Sequence, residues 1–270
     1  MPSPWKLTVP NVTLETESLS GSLRVNQPHL GLSARRPFST DASLFQVLIG
    51  SGTQKELPVA DAYTRLNDLI VTFAEQSPET FTSQIYWRYL DGDNSQGLLG
   101  GIDLIVSAQT SLLDARPEVA TRSEIGAAEA WRLVDVPTAG FELIGNKETK
   151  ENKENKENKE NKENKENKKN KEVEYCFKPQ EGAGCFLFRP KDEAFSYIEM
   201  VHPVDFSHST LTVSEQRRLD LKHVVIDRWM EKGVIVRARL RGAVVQREDD
   251  TQSAGKIYRD FCNAKIPLTV

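Results

Sequence analysis

The chain has 270 residues, of which 38% are hydrophobic and 27% charged, with a formal net charge of −4. That balance fits a folded globular protein with a sizeable core and excludes a global basic field that would recruit nucleic acid. No apolar run reaches the roughly 18 residues a membrane-spanning helix needs, so no membrane partner is expected.

The opening "MPSPWKLTVPNVT" lacks a basic start followed by an apolar run, so the expectation is a cytoplasmic protein without a secretory signal. In that setting the glycosylation pattern at Asn11 is a chance match. Strand signals begin at once, with Trp5, Leu7 and Val9 alternating in "WKLTV". "ADAYTRLNDL" fits a turn of helix or a strand. "DLIVTF" puts Leu69, Val71 and Phe73 on one side, and "QIYWRYL" does the same for Ile85, Trp87 and Tyr89, with Tyr86 and Arg88 opposite. "GIDLIVS" aligns Ile102, Leu104 and Val106.

From Asn146 to Glu172 the chain is ten Lys, eight Glu, eight Asn and one Thr. With nothing apolar to bury, this segment cannot offset its ordering entropy. Its three-residue repeat also sets like charges at i,i+3, which opposes helix. The expectation is a disordered surface loop, 146–172, interrupting a single domain over 1–270. "AGFELI" before it and "VEYCFKP" after it both look like strands.

Beyond the repeat, "CFLFRP", "FSYIEMV" and "GVIVRARLRGAVV" continue the alternation. "SEQRRLD" reads as a short helix capped by Ser214, and "TQSAGKIYRDFCNA" as a clearer one with Ile257 and Phe261 at i,i+4, followed by an extended "KIPLTV". The helices that a doubly wound parallel sheet needs between its strands are missing. The fold class is therefore all-β: a large antiparallel β-sandwich, with a supersandwich as the fuller version, carrying one or two short helices. "IYWRYLDGDNSQGLLGGIDLIVS" and "CFLFRPKDEAFSYIEMVHP" share a pattern that suggests two related sheets.

Three residue groups are candidates for chemistry. The first is His202, Asp205 and His208 in "MVHPVDFSHS". On one strand the two histidines would share a face about 20 Å apart, with Asp205 opposite, so only a turn around Pro203 could converge them as an acid/base or metal site. The plainer reading has Asp205 bonding its own backbone two residues on. The second is Arg237, Arg239 and Arg241, which line one strand face about 6.6 Å apart. Guanidinium forks at that spacing suit a carboxylated or sulfated glycan, or phosphates; the alternative is pairing with acids across the sheet. The third is Tyr86 with Arg88, an aromatic face beside a polar neighbour, as sugar binding uses.

Cys176, Cys185 and Cys262 form an odd, sparse set that suits a reducing compartment, read either as small buried hydrophobes or with Cys176 and Cys185 bridged across a hairpin. Their spacing suggests no zinc site, and no metal or cofactor is expected. The phosphate-loop, dinucleotide, nucleophile-elbow and HExxH motifs are all missing.

"QIYWRYL", "GIDLIVSAQTSLLD" and "WMEKGVIVRARLRGAVV" together resemble an uncharacterised bacterial family, which implies a large β-sandwich without an assigned activity. At the level of architecture the chain is similar to the supersandwich domains of mutarotases and polysaccharide lyases. That likeness carries over no catalytic residue. The leading functional expectation is a non-catalytic binding module for a carbohydrate-like or anionic ligand. The alternatives are a carbohydrate-active enzyme of epimerase or lyase type using His202 or His208 as acid/base, and a structural or assembly protein. Deleting 147–171 is expected to leave the melting temperature nearly unchanged in calorimetry; a large loss of stability would refute the insertion reading.

Overall fold

A computed structural model describes residues 3–50, 56–75, 81–145 and 172–265; most of the repeat, 146–171, and the end of "KIPLTV" lie outside these. The chain builds two sheets by moving between them. The first sheet opens with β1 (Trp5–Thr8), β2 (Asn11–Glu15), β3 (Ser20–Arg24), β4 (Leu32–Arg36) and β5 (Ala42–Ile49). The second receives β6 (Val59–Arg65), β7 (Asp68–Phe73), β8 (Phe81–Leu90) and β9 (Leu98–Thr110). β10 (Glu118–Gly126) returns to the first sheet, and β11 (Glu129–Asp135) and β12 (Gly140–Leu143) to the second. β13 (Val173–Phe177) joins the first, β14 (Cys185–Arg189) and β15 (Phe195–Val201) the second, and β16 (His208–Val213) and β17 (Arg218–Asp227) the first. β18 (Ile235–Gln246) completes the second sheet, and one helix, α1 (Asp250–Asn263), follows.

The strand orders are β1-β2-β3-β4-β5-β10-β17-β16-β13 and β12-β11-β14-β15-β18-β9-β8-β7-β6. Every named pairing is antiparallel, so the fold is an all-β sandwich of two nine-stranded sheets among the described residues. The two similar hairpins, β8–β9 and β14–β15, belong to one sheet, where they flank β18 on either side.

Alternation decides the core. Leu69, Val71, Phe73, Ile85, Trp87, Ile102, Leu104, Val106, Val236, Ala238 and Leu240 all point inward from the second sheet. They meet Leu14, Leu32, Phe45, Leu211 and Leu221 of the first. Each fully buried large apolar side chain contributes about 1.5–3 kcal/mol of transfer free energy, which makes this interface the dominant stabilising term.

The second sheet is covered again on part of its outer face. Ile257, Tyr258 and Phe261 of α1 pack on Leu187, Ile198, Met200, Ala243 and Val245. All seven residues of β15 are buried as a result, and its sequence reads as a run of mostly apolar residues.

One local expectation is corrected, and two left open are decided. "SEQRRLD" is a turn and not a helix: Arg217 has φ +59°, the Ser214 hydroxyl accepts from the Arg218 amide at 3.1 Å, and β17 starts at Arg218. Leu219 and Leu221 alternate into the core, and that burial overrides the helical pattern. "ADAYTRLNDL" takes its strand alternative, with Leu66 at φ +52° turning β6 into β7. Cys176 is exposed on β13 and Cys185 buried on β14, in different sheets, and all three cysteines are free thiols. Among the described residues, no helix is long and apolar enough to cross a membrane.

Gly242 on β18 marks a tight point in the sandwich. A Cβ there would collide with the Tyr197 hydroxyl and lie 2.8 Å from the Phe45 ring. Gly242→Ala is therefore expected to cost about 1–3 kcal/mol through overpacking, measured by denaturant unfolding.

Candidate functional site

The outer face of the second sheet is apolar under α1 and charged beside it. Asp68, Arg88, Asp103 and Arg241 are successive cross-strand partners on β7, β8, β9 and β18. This row of alternating charge is zipped by two forks. Arg88 donates from Nε to Asp68 Oδ1 at 2.6 Å and from Nη2 to Oδ2 at 2.8 Å. Arg241 donates from Nε to Asp103 Oδ1 at 2.6 Å and from Nη2 to Oδ2 at 2.9 Å. The Arg241 guanidinium also lies 4.9 Å from the ring centre of Phe261 on α1, a cation–π contact.

The helix beside this row is pinned at both ends. At its start, Arg189 donates to both oxygens of Asp250, at 2.9 and 2.8 Å, and the Ser196 hydroxyl donates to Oδ2 at 2.6 Å. Burial raises the Asp250 pKa, but these bonds outweigh it and hold the carboxyl below its ordinary value. At its end, Arg239 Nη1 donates to the Ala264 carbonyl at 3.0 Å.

Between the strand ends and α1 lies a groove of about 560 Å³. Arg88 and Arg241 lie in it, Asp91 and Asp93 come from the β8–β9 connection, and Asp260 with Ile257 comes from the helix. The Asp93 carboxylate is held below its ordinary pKa, first by the Ser95 hydroxyl and amide, both at under 3 Å, and then by Gln96. Asp91 accepts from Asn67 Nδ2 at 3.2 Å. Counting every lining residue, the groove holds four aspartates (Asp68, Asp91, Asp93, Asp260) and two arginines. Among the described residues, no group of three or more His, Cys, Asp or Glu is placed to hold a metal ion.

The residues singled out from the sequence fall in several places. Arg88 and Arg241 reach the groove, each carrying its aspartate. Arg237 and Arg239 share the strand face with Arg241 but lie outside the groove lining: Arg237 is half-buried opposite Ser107, and Arg239 ties down the end of α1. Tyr86 is packed among Ile70 and Ile105, where burial raises its hydroxyl pKa.

His202 lies in the turn after β15. Its Nε2 donates to the Cys262 carbonyl at 3.1 Å, a role assigned because Nδ1 accepts from the Val204 amide at 3.3 Å. Its ring meets Phe261 edge-on. Asp205 bonds the Arg239 backbone amide at 3.0 Å in place of its own chain two residues on, and burial raises its pKa. His208 opens β16 with Ser207 Oγ at 3.5 Å. The three side chains have separate partners, and none lines the groove.

Sequence reasoning missed Asp68, Asp103 and Asp260 as partners in this site. The sequence offered acids across the sheet as partners for the arginines without naming them; the register that sets Asp103 opposite both Arg88 and Arg241 follows from strand order.

No family model matches this chain, and no curated protein matches it. Solved structures do. A proposed aldose 1-epimerase from Klebsiella pneumoniae superposes with a TM-score of 0.58 at 7% identity, over 93% of this chain and 83% of that one. The chain has a mutarotase-like fold. A proposed aldose 1-epimerase from Escherichia coli K12 gives 0.56 at 9% identity, over 87% and 98%. A proposed mutarotase from Salmonella typhimurium gives 0.53 at 9%, over 88% and 90%. At these identities the likeness is one of fold, and the groove must be read on its own residues.

Because Asp250 is held below its ordinary pKa, its contribution to stability is present above about pH 4, where the unfolded carboxylate is ionised, and is lost as pH falls through the lower folded value. Asp250→Asn is expected to lower the melting temperature at pH 7 and to flatten the acid limb of the stability curve, followed by calorimetry from pH 7 to 3.

Proposed function

We propose that this is a carbohydrate-active protein of the aldose-epimerase kind that takes a neutral sugar ring in the groove beside α1. The groove itself carries this reading: an open cleft of about 560 Å³, within the 300–1,000 Å³ range of small-ligand sites, with convergent carboxylates and guanidinium forks on an apolar wall. Carboxylates accept, and guanidiniums donate, in the paired fashion that neighbouring sugar hydroxyls match. The mutarotase-like fold adds support for the class of ligand.

The charge balance favours a neutral ligand over an anionic one. Both arginines already hold an aspartate, and Asp91, Asp93 and Asp260 add negative charge. An anion would have to displace a carboxylate and then face three more. Interconverting anomers requires one group to take the proton of the anomeric hydroxyl and another to protonate the ring oxygen. Asp91 and Asp260 are in no ion pair among the described residues and are assigned these roles: one, as carboxylate, takes the hydroxyl proton, the other, entering the step protonated, gives its proton to the ring oxygen, and the two exchange roles when the ring recloses. His202 and His208 lie outside the lining.

The test is polarimetry on freshly dissolved α-D-glucose and α-D-galactose, beside ligand-observed NMR with a panel of free sugars. Mutarotation faster than the uncatalysed rate is expected, falling at least about tenfold in Asp91→Asn and Asp260→Asn with the melting temperature retained. Sugar binding without acceleration would leave a binding protein and remove the epimerase step. Absence of both would overturn the proposal.

A further inference from the structure

Between the sheets, where nearly every side chain is apolar, five polar residues come together. Thr121, His223 and Ser209 are cross-strand neighbours on β10, β17 and β16 of the first sheet. Glu199 and Tyr197 face them from β15 of the second. All five are at most 1% exposed. Ser209 Oγ and His223 Nδ1 are 2.6 Å apart, and the Tyr197 hydroxyl donates to Glu199 Oε2 at 2.8 Å. The remaining atoms of the two central residues, His223 Nε2 and Glu199 Oε1, face each other across the gap at 3.4 Å. Neither has a hydrogen-bond partner elsewhere. Among the described residues, this is the only acid–base side-chain contact joining the two sheets.

The surroundings are built around the pair. Phe186 stacks obliquely on His223 with ring centres 5.6 Å apart. Gly242, the ladder partner of Glu199, leaves room for the Tyr197 hydroxyl.

We propose that Glu199 and His223 form a latch that fixes the register of one sheet on the other. Two apolar faces attract each other without direction, and slipped packings cost them little. A carboxylate and an imidazole buried in opposite faces change that. Only one placement brings them together; any slip leaves each with only the partner on its own sheet, Tyr197 or Ser209, and its remaining polar atom against hydrocarbon. The pair therefore selects a single packing by penalising the others. This inference is independent of the sugar groove, which lies on the other side of the second sheet.

A double-mutant cycle tests it. Glu199→Gln and His223→Gln are each expected to lower the folded-to-unfolded ratio about 100-fold, and the double variant little more than either alone, because each single change strands the other partner. Additive losses would overturn the latch. In a second variant, Tyr197→Phe, Glu199→Leu, Ser209→Ala and His223→Leu make the cluster apolar. Strand content by circular dichroism is expected to persist, while methyl NMR signals broaden and a hydrophobic dye binds. A sharp, wild-type-like methyl spectrum from that variant would also overturn the proposal; if it does not fold, the cycle decides.

Discussion

Burial of one face of each sheet against the other is the interaction on which the rest of this molecule depends. It forces side chains to alternate along the strands of both sheets, and so dictates which residues face outward. The charged row on the second sheet exists because Leu69, Trp87, Leu104 and Leu240 must point inward, leaving Asp68, Arg88, Asp103 and Arg241 no face but the outer one.

The outer face of the second sheet then divides by what covers it. Where α1 lies, the outward positions are Leu187, Ile198, Met200 and Val245, and the sheet is buried on both sides. Where the helix ends its cover, the next outward positions are ionic, and farther along the same strands Ile70, Tyr86 and Ile105 form a separate apolar group. The groove occupies this boundary, with Ile257 on one side and Arg241 stacked on Phe261 at the border. The ladder holds its guanidiniums rigid by giving each a carboxylate, which lowers their worth to an anion and leaves them as oriented donors.

Two polar systems thus serve different ends. The groove is open to water at Asp91 and Asp260, so those charges cost little to keep. The Glu199–His223 cluster is sealed, so its groups gain most from the partners they already have. A buried polar pair is a poor source of stability but an effective discriminator between packings, and that distinction separates the proposed latch from the proposed ligand site.

The sequence by itself determined the class of fold and the inward set of β7, β8, β9 and β18, because period-two alternation is a local property written in neighbouring residues. It also determined that Arg237, Arg239 and Arg241 share a face and that the last helix carries Ile257 and Phe261 on one side. Only the tertiary structure decided which of those arginines meets a carboxylate, because Asp103 and Arg241 are 138 positions apart and their pairing depends on strand order. It alone gave His202, Asp205 and His208 separate hydrogen-bond partners, the first two beside the end of α1, and placed Cys176 and Cys185 in different sheets. Glu199 is a lone acid in the apolar run of β15 and His223 one polar residue in β17, and nothing in either strand named the other. Their meeting is a property of how two sheets stack, and no local pattern encodes it.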